Sequence, residues 1–135
     1  MLFFRGKGRP STRRVGKRGE RAAARMLRRR GYRVLARNQR LHFGELDLVC
    51  LAPDRREVVF VEVKALHRGD GTGAGRFRPE DHVDRDKRRR LVALSRAWLG
   101  QRGWQSRHWR IDVVAVEFAV GVRRPTIRHH ERAVP

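Results

Sequence analysis

Asp47, Glu62 and Lys64 sit inside two apolar runs, GELDLVCL and VVFVEVKAL, that otherwise suit a protein interior. Side chains alternate along a strand. In the second run Val59, Val61, Val63 and Ala65 share one face, while Val58, Phe60, Glu62 and Lys64 share the other. That second face begins apolar and ends charged, as expected of a strand covered on both sides whose C-terminal half opens into a site. In the first run the same parity groups Glu45, Asp47, Val49 and Leu51, with Leu46, Leu48 and Cys50 opposite. If the runs pair through the turn at 52–57, Val49 faces Phe60, Asp47 faces Glu62 and Glu45 faces Lys64.

Two carboxylates held side by side repel, and one of them tends to stay protonated. A divalent cation relieves that repulsion. Mg²⁺ or Mn²⁺ favours hard oxygen ligands, commonly one or two carboxylates completed by water and substrate phosphate. A neighbouring lysine can orient or deprotonate an attacking water, or stabilise charge developing on phosphorus. Asp, Glu and Lys around such a cation are therefore a sufficient kit for phosphodiester hydrolysis. The same three residues would equally make a cross-strand ion-pair cluster at a sheet margin, and strand parity alone does not separate the two.

The flanking sequence must position these residues. A helix is predicted over VGKRGERAAARMLRRRG, with Gly19, Ala23, Met26, Leu27 and Arg30 along one side and Gly31 as its C-cap. Three strands follow: YRVLARN, ELDLVCL and EVVFVEVKAL, the last two joined as an antiparallel hairpin by APDRRE. The segment RGDGTGAGRFRPE is a glycine-rich loop. It carries Arg68, Arg76 and Arg78 as candidate nucleic-acid contacts but does not match a phosphate-loop pattern. A second helix is expected from His82 to Leu99, with Val83, Lys87, Leu91, Leu94 and Trp98 as its stripe and Gly100 or Gly103 ending it. HWRIDVVAVEF reads as a fourth strand, and GVRRPTIRHH as a weaker last strand broken by Pro125. The expectation is an α/β fold in the order α-β-β-β-α-β, with a small mixed sheet flanked by helices. Residues 1–14 are assigned to a basic N-terminal tail, 15–130 to one domain and 131–135 to a C-terminal tail.

Thirty-four Lys and Arg against 14 Asp and Glu leave a formal charge of +20 on 135 residues. Such an excess on one small domain points to a polyanionic partner, nucleic acid above all. Only four of the basic residues are lysine: Lys7, Lys17, Lys64 and Lys87. Where arginine has replaced lysine almost everywhere, a lysine kept inside a strand suggests a need for its compact, titratable ammonium. The single cysteine, Cys50, forms no internal disulfide and reads as a buried structural thiol. No apolar run reaches membrane-spanning length, so a cytoplasmic setting without membrane contact is expected. The six histidines show no metal-site spacing, and His129-His130 reads as a solvated pair. Trp98, Trp104 and Trp109 alternate with Arg102, Arg107 and Arg110, which suits either core packing or stacking on unpaired bases.

The ordered runs Gly16-x-x-Gly19-Glu20-x-x-Ala23, Gly44-Glu45-Leu46-Asp47-Leu48-Val49 and Val59-Phe60-Val61-Glu62-Val63-Lys64 resemble the YraN (UPF0102) family. Val83-x-x-x-Lys87-x-x-x-Leu91 and Ile111-Asp112-Val113-Val114 extend the match, which covers roughly residues 15–130. That family is similar in turn to PD-(D/E)xK nucleases, particularly archaeal Holliday-junction resolvases. The resemblance implies a restriction-endonuclease-like core and an endonuclease that needs Mg²⁺ or Mn²⁺ and cuts DNA rather than RNA, including branched or irregular forms. It implies Asp47 and Glu62 as metal ligands, Lys64 as the catalytic lysine and Glu20 as a helix carboxylate reaching the same site. Glu45 is an auxiliary ligand or a solvated neighbour. Lys87 is a snorkelling stripe residue or a DNA or active-site contact. A homodimer is the expected assembly. The position two residues after the motif lysine, often basic in the family, is Leu66 here, with Arg68 two residues further on. Two rival readings stand beside this one. The first is a non-catalytic nucleic-acid-binding module that retains the fold, and the second is an accessory protein docking through the segment 98–109.

Overall fold

The computed structural model describes residues 12–68 and 84–134. Among these residues two helices and five strands follow in the order α1 (Thr12–Arg29), β1 (Arg33–Leu41), β2 (Gly44–Leu51), β3 (Val58–Arg68), α2 (Arg85–Gln101), β4 (Trp109–Ala119) and β5 (Thr126–Val134). All five strands form one sheet in sequence order. Only β3 and β4 run parallel, and α2 is the crossover that a parallel pair requires. The mixed α/β architecture expected from the sequence is the one observed.

One helix covers each face. Ala23, Ala24, Met26 and Leu27 of α1 pack on Leu48, Cys50, Val59, Val61, Val114 and Val116. Leu91, Leu94, Trp98 and Leu99 of α2 pack on Leu46, Val49, Val58, Phe60, Ile111 and Val113. The run Val58–Val61 is buried throughout, which explains why it reads as continuously apolar. Within the α1 core the Cys50 thiol is fully buried, and burial pushes its pKa up to about 12, as a structural thiol requires.

Both helices end on left-handed glycines. Gly31 (φ +90°) donates to Arg28 O, and Tyr32 N donates to Leu27 O, so α1 stops in a Schellman turn. Gly103 (φ +70°) and Trp104 N close α2 in the same way on Gly100 O and Leu99 O. Asp84 caps the start of α2, its side chain accepting from Lys87 N at 2.8 Å.

Several boundaries differ from expectation. Helix α1 begins at Thr12, inside the segment assigned to the tail, and Arg30 is exposed rather than on the buried stripe. Helix α2 begins at Arg85 instead of His82, because the Asp84 cap sets the first turn. Residues 69–83, which include Arg76, Arg78 and Val83, lie outside the described residues. Strand β5 starts directly after Pro125 and continues to Val134, a core residue, so 131–134 belong to the sheet rather than to a tail. Strand alternation also breaks at Asp47. Leu48 packs under α1, but Leu46 packs under α2 instead of sharing its face.

Helix α1 crosses β3 at Gly19, where a Cβ would sit 2.5 Å from Ala65 Cβ; at Gly16 it would meet nothing within 4 Å. The two glycines should therefore respond oppositely to alanine. Gly16→Ala should stabilise by about 0.5–1 kcal/mol through reduced chain entropy. Gly19→Ala should destabilise by about 1–3 kcal/mol, because overpacking against a central strand outweighs the gain in helix propensity. Urea midpoints of the two variants check both signs.

Candidate active site

The β2–β3 hairpin pairs Leu48 with Val61, Val49 with Phe60, Cys50 with Val59 and Leu51 with Val58. This is the register read from the sequence, but the ladder stops at Leu48 and Val61. Beyond it the strands part, and the Asp47 carboxylate takes over as acceptor, with Val63 N donating to Oδ2 at 2.8 Å. The bond satisfies a main-chain donor that the missing rung would leave unpaired. It also fixes a carboxylate in the notch between the strands.

Glu62 lies one residue before that donor and is largely buried. Its Oε1 accepts from Lys87 Nζ at 2.7 Å and Lys64 Nζ at 3.4 Å. The N-cap bond at Asp84 therefore does local work, because the backbone it fixes is that of Lys87, which the first turn of α2 delivers onto Glu62. Lys87 is not simply a snorkelling stem. Glu20 approaches from α1, half-buried, and its partner is Asn38 of β1. With the amide nitrogen turned toward the carboxylates, Asn38 lies 2.8 Å from Glu20 Oε2 and 3.2 Å from Glu45 Oε1. Asn38 takes a left-handed φ of 48°, a conformation asparagine tolerates better than most residues. Glu45 is exposed and joins the group through this bridge.

The electrostatics follow the crowding. Asp47 is raised to about 7, first by burial, then by the charges of Glu62 and Glu20; the Val63 bond and Lys87 oppose the rise. Glu20 is also raised, by burial first and then by Glu45 and Glu62, against the Asn38 bond. The two lysines diverge. Burial works to lower Lys87, but its short bond to Glu62 and its contact with Lys64 raise it on balance. Lys64 is lowered, by burial and then by Lys87 beside it, with Glu62 compensating only in part. Lys64 is thus the cation whose proton is held loosely.

The donor set suits a hard divalent cation: carboxylate oxygens in a half-buried notch whose mutual repulsion a cation would relieve. Among the described residues, no three His, Cys, Asp or Glu side chains converge closely enough to hold a metal by themselves. The fit is therefore to an ion that takes Asp47 and Glu62 and completes its shell with water and phosphate. The lysines on Glu62 are the competing counter-charge.

Asn38 is the residue that sequence reasoning missed. Its signal was weak: an asparagine ending the predicted strand YRVLARN, whereas β1 runs on through it to Leu41. Arg68 ends β3, while Arg76 and Arg78 fall outside the described residues. The tryptophan segment does not offer free stacking faces as a set. Trp98 is core, with Arg102 over it at 4.0 Å, and Arg107 lies 4.4 Å over Trp104. Arg110 is locked between Glu57 (2.7 Å), Tyr32 Oη (2.8 Å) and Asp112 (2.9 Å). His129, expected in solvent, has its side chain buried and its Nε2 2.8 Å from Asp112, because β5 lies against β4 at that point. Asp112 is fully buried, and although burial works to raise it, bonds from His129, Arg110 and Arg132 N hold its carboxyl below the usual range. This second network satisfies its own charges and is structural.

The chain matches the model of the "Uncharacterised protein family UPF0102" over residues 19–116. It is 39% identical to a UPF0102 protein of Rhodopirellula baltica over 120 residues, covering 88% of this chain and 69% of that protein. A Moorella thermoacetica UPF0102 protein is 45% identical over 104 residues, covering 77% and 81%. One from Roseiflexus castenholzii is 41% identical over 122 residues, covering 90% and 93%. No helix among the described residues is long and apolar enough to cross a membrane.

A carboxylate raised in the native state binds its proton more tightly folded than unfolded. Stability from Asp47 is therefore greatest at low pH and falls as pH rises through about 7. In chelator, Asp47→Asn, whose amide oxygen can still accept from Val63 N, should raise stability at pH 8 by about 1–2 kcal/mol. That advantage should shrink toward zero below about pH 5. Denaturant titrations of both proteins across pH 4.5–8.5 check the slope.

Proposed function

Because the chain belongs to the UPF0102 family, whose description prescribes no reaction, we propose its function from the site: a metal-dependent endonuclease that hydrolyses phosphodiester bonds in DNA, branched forms included. The observation that carries this reading is the pairing of Asp47 with the Glu62-x-Lys64 segment across parted strands. There the Asp47 pKa is raised by burial and then by its carboxylate neighbours, and the Lys64 pKa is lowered by burial and by Lys87. That order of residues resembles the PD-(D/E)xK pattern, and the +20 charge suits a polyanionic substrate.

Mg²⁺ or Mn²⁺ held by Asp47 and Glu62 would supply Lewis acidity toward the phosphodiester and a water acidified for attack. The chain's own residues do the rest. Asp47 is aimed by the Val63 N–H and needs no reorganisation to present its second oxygen. Lys87 holds Glu62 in place from α2. Lys64 stands 3.4 Å from the same carboxylate with a loosened proton, placed to exchange it with an attacking water or to stabilise charge on phosphorus. Glu20 and Asn38 line the α1 side and can orient water on the cation.

One observation favours the second reading, a nucleic-acid-binding module without turnover. No three-ligand metal cage pre-exists among the described residues, whereas the basic charge is abundant.

Calorimetry with Mn²⁺ and Mg²⁺, with and without non-cleavable DNA, separates the two. The nuclease reading expects binding that Asp47→Ala abolishes, and cleavage within a panel of linear, nicked, flapped and four-way DNA. Lys64→Met should keep metal binding but lose about 10²-fold or more in cleavage rate. Metal binding that survives Asp47→Ala, or no cleavage anywhere in the panel, would sink it in favour of the binding module.

A further inference from the structure

On the flank of α1 away from the carboxylates, four arginines line one cleft of about 300 Å³: Arg25 and Arg29 from the helix, Arg123 and Arg124 from the β4–β5 turn. All four are exposed, and none has an acidic partner among the described residues. The nearby Glu117 is paired with Arg128 at 3.6 Å. By contrast, Arg110 and Arg132 share Glu57, which offsets their charge. Four uncompensated cations converging on one concave surface leave a focused positive field, and such a surface collects anions.

The cleft is also built rather than incidental. Pro125 restricts Arg124 to extended backbone. Ile127, two residues on, packs into the α1 core and ties the turn to the helix. At about 100° per residue, Arg25 and Arg29 lie roughly 140° and 180° around α1 from Glu20. The helix therefore carries an acidic flank toward β2 and a basic flank toward β5. In the sheet β2 and β5 are three strand spacings apart, about 14 Å, or the rise of roughly four phosphates along one strand of duplex.

We propose that this arginine cleft binds the sugar–phosphate backbone of a nucleic acid a few nucleotides from the carboxylate notch, anchoring it without reading sequence. Guanidinium forks match phosphate oxygens bidentately. The rest of the lining, Pro125, Ile127 and Ala22, offers no side-chain donor or acceptor, so the guanidinium groups supply all of the side-chain polar contact there. The inference rests on the nucleic-acid substrate of the proposed function but not on turnover.

Fluorescence anisotropy of a labelled duplex in chelator, from 50 to 200 mM salt, tests it. Arg25→Ala/Arg29→Ala should weaken binding tenfold or more and reduce the salt slope by about 2. An equal charge removal on the α2 side of the sheet, across from α1, Arg96→Ala/Arg102→Ala, should change affinity by less than about threefold. The Arg25/Arg29 loss should be the same on duplexes of unrelated sequence. Equal losses in the two variants, or none in the first, overturn the cleft while leaving the nuclease reading intact. A chain that binds through the cleft yet cleaves nothing with Mn²⁺ keeps this inference and defeats the nuclease. No duplex binding by the unaltered chain overturns both.

Discussion

A single side-chain rung organises this protein. Where the β2–β3 ladder ends, Asp47 accepts the Val63 N–H in place of a main-chain carbonyl. Strands that part inside a covered sheet ordinarily leave an orphan donor, which costs as much as a lost hydrogen bond. Here the carboxylate both discharges that debt and becomes rigid. The chemistry of the notch follows from that constraint, because a carboxylate pinned by the backbone cannot swing away from Glu62. The repulsion is built in, and it adds to burial in raising the Asp47 pKa.

The compensation is distributed over four elements. Helix α2 contributes Lys87, strand β3 contributes Lys64 beside its own Glu62, strand β1 contributes Asn38, and α1 brings Glu20 close only because Gly19 lets it lie on Ala65. Neither lysine alone matches the local negative charge, and their unequal response shows how it is shared. The shorter bond keeps its proton, while the longer one leaves an ammonium that burial and a like charge have weakened. A strained electrostatic balance of this kind persists where the surrounding packing over-determines it. Helices on both faces of a five-stranded sheet supply that packing.

The parts of this arrangement legible from sequence are those governed by short-range rules. The β2–β3 register followed from strand parity and a six-residue connection. The glycine stops of both helices followed from position, and the buried thiol from its apolar neighbours. What escaped depends on elements meeting across the chain. Leu46 changes face because the ladder lapses at Asp47, an event no alternation rule anticipates. Asn38 matters only once α1 and β2 converge on β1, and Lys87 acquires its meaning from a strand more than twenty residues earlier. His129 looked solvent-borne because the segment carrying it is polar. Its burial is imposed by Asp112 on the adjacent strand.

Asp112 gives the order of assembly its logic. Its carboxylate is fully buried and draws two of its three partners, His129 and the Arg132 amide, from β5. That strand emerges from the ribosome after every other described element. Until it arrives, the nascent domain carries a desolvated charge held only by Arg110, a half-paired group that disfavours closing the sheet early. The network thus ties the last strand to the buried charge: the compact state is favoured most once the sheet edge has been delivered. A truncated or stalled chain would keep that edge open, an unpaired strand exposed to quality control rather than a finished domain.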